Sequence, residues 1–106
     1  MQSFVHKFQG IYEINELTKI KSIAYTIGKP CIWAIIALLN STKDKTLNIT
    51  SIISNLNSNY STIIRCIEYM RTLDMVHEVR LGRIRLIQLN CSNEIVKAMI
   101  NILNNV

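Results

Sequence analysis

Tyr60-Ser61-Thr62-Ile63-Ile64-Arg65-Cys66-Ile67-Glu68-Tyr69-Met70-Arg71-Thr72-Leu73 is followed, after Asp74-Met75, by Val76-His77-Glu78-Val79-Arg80-Leu81-Gly82-Arg83-Ile84-Arg85-Leu86-Ile87. These two stretches decide the fold. In the first, Ile63, Ile67, Met70 and Leu73 recur at helical spacing, with Cys66 beside them. The second alternates around Gly82 and reads as a hairpin. All five arginines of the chain fall between Arg65 and Arg85. Arginine makes forked contacts with phosphates and guanine edges, so a helix and a hairpin sharing the arginines is a pattern with chemical content. Charge spread evenly along the chain would only aid solubility.

Working outward, Asn57-Ser58-Asn59 is a polar turn, and Ser58 or Asn59 caps the helix from Tyr60. Before it, Asn48 can cap a short helix carrying Ile49, Ile52, Ile53 and Leu56. Short helix, polar turn and longer amphipathic helix over 48–73 make a helix-turn-helix pattern. Thr46-Leu47 suits a short strand, and Asn40 to Lys45 a loop. The segment from Pro30 to Leu39 is apolar nearly all round (Ile32, Trp33, Ile35, Ile36, Leu38, Leu39), which places it in the middle of the fold. Gly28 ends the helix before it, whose seam is Ile14, Leu17, Ala24 and Ile27, and Pro30 suits a first helical turn. Ser92 is the expected cap of a last helix with the stripe Ile95, Met99, Ile102, Leu103 and Val106.

The hairpin admits two registers. A Leu81-Gly82 turn pairs Val79 with Ile84 and Glu78 with Arg85, satisfying the side chains, but sets leucine where positive φ is needed. An Arg80-Leu81-Gly82 loop suits the backbone better and shifts the pairing by one residue.

A chain of 106 residues is one domain, and 49% hydrophobic residues supply a core. The net charge of +5 and pI near 9.3 point to a polyanion or an acidic surface. The longest apolar run, Cys31 to Leu39, is far short of the roughly 18–20 residues of a membrane span, so no membrane partner is expected. Met1 to Phe8 lacks the long apolar stretch of a secretory signal. Three cysteines, Cys31, Cys66 and Cys91, stand far apart with no Cys-x-x-Cys. They indicate neither a disulfide framework nor a zinc site, and a reducing, cytoplasmic setting is expected. Cys66 reads as a buried small hydrophobe. His6 and His77 are isolated, and Glu16 can pair with Lys19 on a solvated face. No Ser-His-Asp set, phosphate-binding glycine loop or metal cluster is evident. No enzymatic activity, cofactor or metal is therefore expected.

From Asn48 to Leu89 the residues resemble the winged helix-turn-helix superfamily, and within it the MarR/ArsR-type regulators. Ile49-Thr50-Ser51-Ile52-Ile53-Ser54-Asn55-Leu56 resembles the positioning helix. Tyr60 to Met70 resembles the recognition helix, and Leu73-Asp74-Met75-Val76 stands where these proteins often carry Ala-Gly-Leu-Val. Val76 to Leu89 matches the wing, with Asp74 in place of the glycine. The Cys-x-Cys metal signature of ArsR proteins is missing. The resemblance implies a mostly α (α+β) fold: a winged helix-turn-helix with a two-stranded wing over 76–89 and extra N- and C-terminal helices, 11–27 and 92–106, that serve dimerisation. It implies a homodimeric, sequence-specific regulator of transcription bound to double-stranded DNA. The residues expected to meet DNA are Ser58, Asn59, Tyr60, Ser61, Thr62, Ile64, Arg65 and Tyr69 from the helix-turn-helix, and Arg80, Arg83 and Arg85 from the wing. Those expected at a dimer interface are Leu17, Ala24, Ile95, Met99, Ile102, Leu103 and Val106. The alternative is a winged-helix module that binds protein within a larger assembly. Nothing in the residues indicates a small-molecule effector.

Overall fold

The computed structural model describes residues 14–106. The readings made on Met1–Phe8, His6 and the first residues of the 11–27 helix lie outside them. The elements are α1 (Ile14–Ile27), α2 (Pro30–Asn40), β1 (Thr46–Asn48), α3 (Ile49–Leu56), α4 (Tyr60–Thr72), β2 (Val76–Leu81), β3 (Ile84–Leu89) and α5 (Glu94–Asn104). The three strands form one antiparallel sheet in the order β1-β3-β2.

α2 is central. Its Ile32, Ile35, Ile36 and Leu39 are fully buried, as expected of a helix apolar on every side. Around it gather Ile49 and Ile52 of α3, Ile63, Ile67 and Met70 of α4, Ile87 and Leu89 of β3, and Val96 and Met99 of α5. Pro30 opens α2, where its missing N–H costs nothing.

Both caps of the helix-turn-helix are asparagines. Asn48 accepts the Ser51 N–H at 2.7 Å, and Asn59 accepts the Thr62 N–H at 2.8 Å. Asn57 between them is left-handed at φ 50°, turning the chain from α3 into α4. Asp74, which stands where the resemblance places glycine, is likewise left-handed at φ 59°, a conformation that short polar side chains tolerate.

Three expectations are corrected. Ser92 does not cap α5: the Asn93 side chain accepts from the Ile95 and Val96 N–H groups at 2.9 and 3.0 Å. The Asn93 amide also donates to the Leu73 carbonyl at 3.0 Å, tying α5 to the α4–β2 corner, which serine is too short to do. The hairpin takes neither expected register. Leu81 pairs with Ile84 around a Gly82-Arg83 turn, with Gly82 at φ 63°. Glycine first with positive φ is the requirement of a type II′ hairpin, and it frees Leu81 to remain extended. Finally, Cys31 and Cys66 are joined in a disulfide that links the start of α2 to the middle of α4. The odd cysteine count concealed it, because Cys91 is the free, exposed remainder. Cysteine usage therefore gives no argument for a reducing compartment. Among the described residues, no single helix is long and apolar enough to cross a membrane.

Candidate nucleic-acid interface

α4 lays one side on the core and leaves the other outside. Ile63, Cys66, Ile67 and Met70 are buried, while Ser58, Asn59, Tyr60, Ser61, Thr62 and Arg65 are exposed at and beyond its N-terminal end. The first turn holds no acidic residue, so the positive end of the helix dipole stands uncompensated beside these hydroxyls and Arg65. Ile64 is half-buried and packs against the core. Tyr69 turns toward α1: its hydroxyl lies 2.9 Å from the buried Thr26 Oγ1, and its ring meets Tyr25 edge-on at 5.6 Å. Its phenol is thus engaged within the fold.

The wing sets its two faces by alternation. Val76, Glu78 and Arg80 of β2 share a face with Leu89, Ile87 and Arg85 of β3. Val76, Ile87 and Leu89 occupy the buried end of that face. Beyond them Glu78 collects arginines. Arg85 forks onto its carboxylate at 2.8 and 3.3 Å, Arg80 Nε lies at 3.0 Å, and Arg71 of α4 at 3.9 Å. Glu68 of α4 binds Arg71 at 3.1 Å and approaches Arg85 at 3.8 Å. The Glu78 side chain is only 8% exposed because guanidinium groups cover it, although it sits near the surface. The Arg85 hydrogen bond, foremost, with help from Arg80 and the charges of Arg85 and Arg71, holds the Glu78 pKa down from 4.5 to about 2 against the opposing effect of burial. Reciprocally, the bond to Glu78 raises the pKa of Arg85. Among the described residues, Arg65 and Arg83 form no ion pair, so they are the arginines whose charge faces solvent uncompensated.

Two clefts of about 230 Å³ flank α4. One is lined by Asn48, Ile49, Thr50, Tyr60, Arg83, Ile84 and Arg85, between the starts of α3 and α4 and the wing. The other is lined by Lys29, Cys31, Thr62, Arg65, Cys66 and Tyr69. In it the Lys29 ammonium lies 4.7 Å from the Tyr25 ring centre and 5.7 Å from that of Tyr69. The basic side chains therefore meet on either side of the N-terminal half of α4.

No protein-family model matches the chain, and no curated protein matches it. Solved structures do. AntR, an antimony-specific transcriptional repressor, superposes with TM-score 0.66 at 7% identity, over 90% of this chain and 86% of its own. The chain has the winged-helix fold of the ArsR-type regulators. Reduced HlyU from Vibrio cholerae gives TM-score 0.61 at 18% identity, covering 87% of this chain and 96% of that one. YusO from Bacillus subtilis gives 0.59 at 13%, covering 99% and 78%. Identities this low carry the fold and nothing finer. In its terms α3 and α4 are the helix-turn-helix and β2–β3 the wing.

The winged-helix frame brings Ser58, Asn59, Tyr60, Ser61, Thr62, Arg65 and Arg83 onto accessible ground around α4 and the wing turn. It commits Arg80 and Arg85 to Glu78. Of the residues expected at a dimer interface, Ala24, Ile102 and Val106 are exposed and Leu17, Ile95 and Leu103 half-buried. Met99 is instead fully buried in the chain's own core, because α5 rotates it, with Val96, toward α2. Sequence reasoning set Glu78 against Arg85 alone, in one of the two registers, and missed its hold on Arg80 and the parts of Arg71 and Lys29. The signal for Glu78 was available: residues two apart on a strand share a face, so Glu78 and Arg80 must be neighbours.

Proposed function

We propose that this chain is a transcription regulator that binds double-stranded DNA as a homodimer. In this reading each recognition helix, α4, enters a major groove by its N-terminal half, and the wing turn lies on the flanking backbone or minor groove. The observation that carries it is the arrangement at α4: a dipole end free of acidic residues, flanked by exposed hydroxyls and by Arg65 and Arg83, which form no ion pair among the described residues. The chemistry supports phosphate and base contacts, and the fold supports the groove geometry. The self-association surface is proposed to draw on exposed Ile20, Tyr25 and Ile27 of α1 and Ile102 of α5. Two-fold symmetry then implies a nearly palindromic site with half-sites about one helical turn, ~34 Å, apart or a multiple of it.

Fluorescence anisotropy with a random-sequence duplex at several salt concentrations tests this, using wild type and the Arg80/Arg83/Arg85→Ala triple variant. Expected is micromolar binding that falls steeply with salt, and weaker, less salt-dependent binding by the variant. Absence of binding at low salt rejects the reading.

One observation favours a second reading. The outer face of the wing exposes Val79, Leu81 and Ile84 at 43%, 59% and 51%. An apolar sheet face of this kind suits a protein partner. Capture of a protein with little salt dependence, together with negligible DNA binding, would support it.

A further inference from the structure

Glu78 occupies an unusual place for a carboxylate in a basic surface. It lies on the core-facing side of the wing, diagonal to Arg85 across the β2–β3 pair and two residues from Arg80 on the same strand. Its two oxygens are both in use. Oε1 takes the Arg85 Nη2 at 2.8 Å, and Oε2 takes the Nε groups of Arg80 and Arg85 at 3.0 and 3.3 Å. Arg80 remains 66% exposed while so held, and Arg85 24%. Arg85 already spends its Nε/Nη2 fork, and Arg80 its Nε, on a carboxylate.

We propose that Glu78 is a positioning residue that withholds Arg80 and Arg85 from the DNA backbone in non-specific encounters, leaving Arg83 and Arg65 to make them. The inference rests on the DNA-binding reading above. The physical argument is competition. A phosphate that takes the Nε edge of Arg80 or Arg85 must displace Glu78, and one that takes the remaining Nη groups sits close to a carboxylate that stays charged and repels it. Each arginine held back is one fewer counterion-releasing contact, so affinity for random sequence and its salt slope are both lower than the arginine count implies. A site whose shape brings a phosphate or guanine edge close enough to complete the exchange gains the contacts that other sequences do not, which raises the ratio of specific to non-specific binding. The depressed pKa of Glu78 agrees with this, since the carboxylate stays ionised and competitive throughout the range in which DNA binding is measured. Arg71 and Glu68 extend the same network onto α4, so the wing arginines are held relative to the recognition helix itself.

The test measures salt-dependent anisotropy on a random-sequence duplex for wild type, Glu78→Gln, and Glu94→Gln. The last removes one exposed negative charge that takes no part in the wing's ion-pair network, and controls for net charge alone. Glu78→Gln is expected to bind roughly 5- to 20-fold more tightly at ~100 mM salt, with a log–log slope steeper by about 1–2, from roughly 0.9 per added phosphate contact. Glu94→Gln is expected to stay close to wild type. Wild-type binding with no change in Glu78→Gln overturns the inference and leaves the DNA reading standing. Weaker binding by a folded Glu78→Gln protein also overturns it, since Glu78 would then present the arginines to DNA. No binding by wild type removes the DNA reading and the inference with it. A second comparison leaves Glu78 untouched: Arg83→Ala is expected to lower the slope by about 1, and Arg80→Ala to leave it nearly unchanged. Equal losses in the two variants overturn the inference whatever Glu78→Gln does.

Discussion

At the scale of single residues, the Glu78 carboxylate links stability to pH. Its pKa in the folded chain is about 2, against 4.5 for the free side chain. A carboxylate whose folded pKa is depressed contributes stability that is fully present above the unfolded pKa and is lost as pH falls toward the folded one. The window is therefore from about pH 4.5 down to about pH 2. The full linkage limit is about 3 kcal/mol, and a shallow site screened by solvent brings it nearer 1–2 kcal/mol. Urea midpoints at pH 7 and pH 3 should show wild type losing somewhat more than half of this increment, since pH 3 lies inside the window, while Glu78→Gln loses less; equal losses would mean that the ion pairs carry no net stability. Asp74 and Asn93 show what is legible at this scale. Asp74 stands where the resemblance places glycine, and a short polar side chain tolerates the left-handed conformation it adopts, although the sequence did not require it. That Asn93 and not Ser92 caps α5 was not legible, because the choice depends on carbonyls of Leu73 and Asp74 some twenty residues earlier in the chain.

At the scale of elements, α2 and α4 are held by burial and by the Cys31–Cys66 disulfide, which closes a 35-residue separation. In the chain-entropy account a loop of this length is worth about 3–4 kcal/mol. Guanidinium unfolding with and without dithiothreitol should differ by a comparable amount, and a Cys31→Ser/Cys66→Ser variant should match the reduced wild type in both conditions. Coincident curves for oxidised and reduced protein would show that the bridge adds no stability. The pair was invisible in the sequence because a disulfide depends on which helix faces meet, and parity with Cys91 argued against it. The hairpin shows the opposite balance. Its existence and its turn glycine were legible; its register was two residues away from one expected alternative. A shift of two keeps every side chain on its face, which is why Glu78 and Arg85 still meet, diagonally instead of directly across.

At the scale of the whole molecule, the question is which apolar surface a second copy would cover. α1 leaves Ile20, Tyr25 and Ile27 outside, and α5 leaves Ile102, while Met99 has been taken into the core. If the proposed homodimer uses this surface, Ile102→Glu should weaken self-association at least about tenfold, since burying such a side chain contributes roughly 1.5–3 kcal/mol. Sedimentation equilibrium on wild type and variant measures this directly, and a wild type that is monomeric at all concentrations would reject the dimer.

The order of helices, the polar turns, the central α2 and the accessible half of α4 were determined by the sequence, because they follow from local periodicity, capping and burial, which neighbouring residues set. The arginine cluster was equally plain. What only the tertiary structure decided was how those arginines are used. Glu78, Arg80 and Arg85 meet through strand register, and Glu68 and Arg71 join them because α4 packs beside β2. Long-range contacts set both, and charge counted along a chain does not distinguish a cation facing solvent from one already holding a carboxylate.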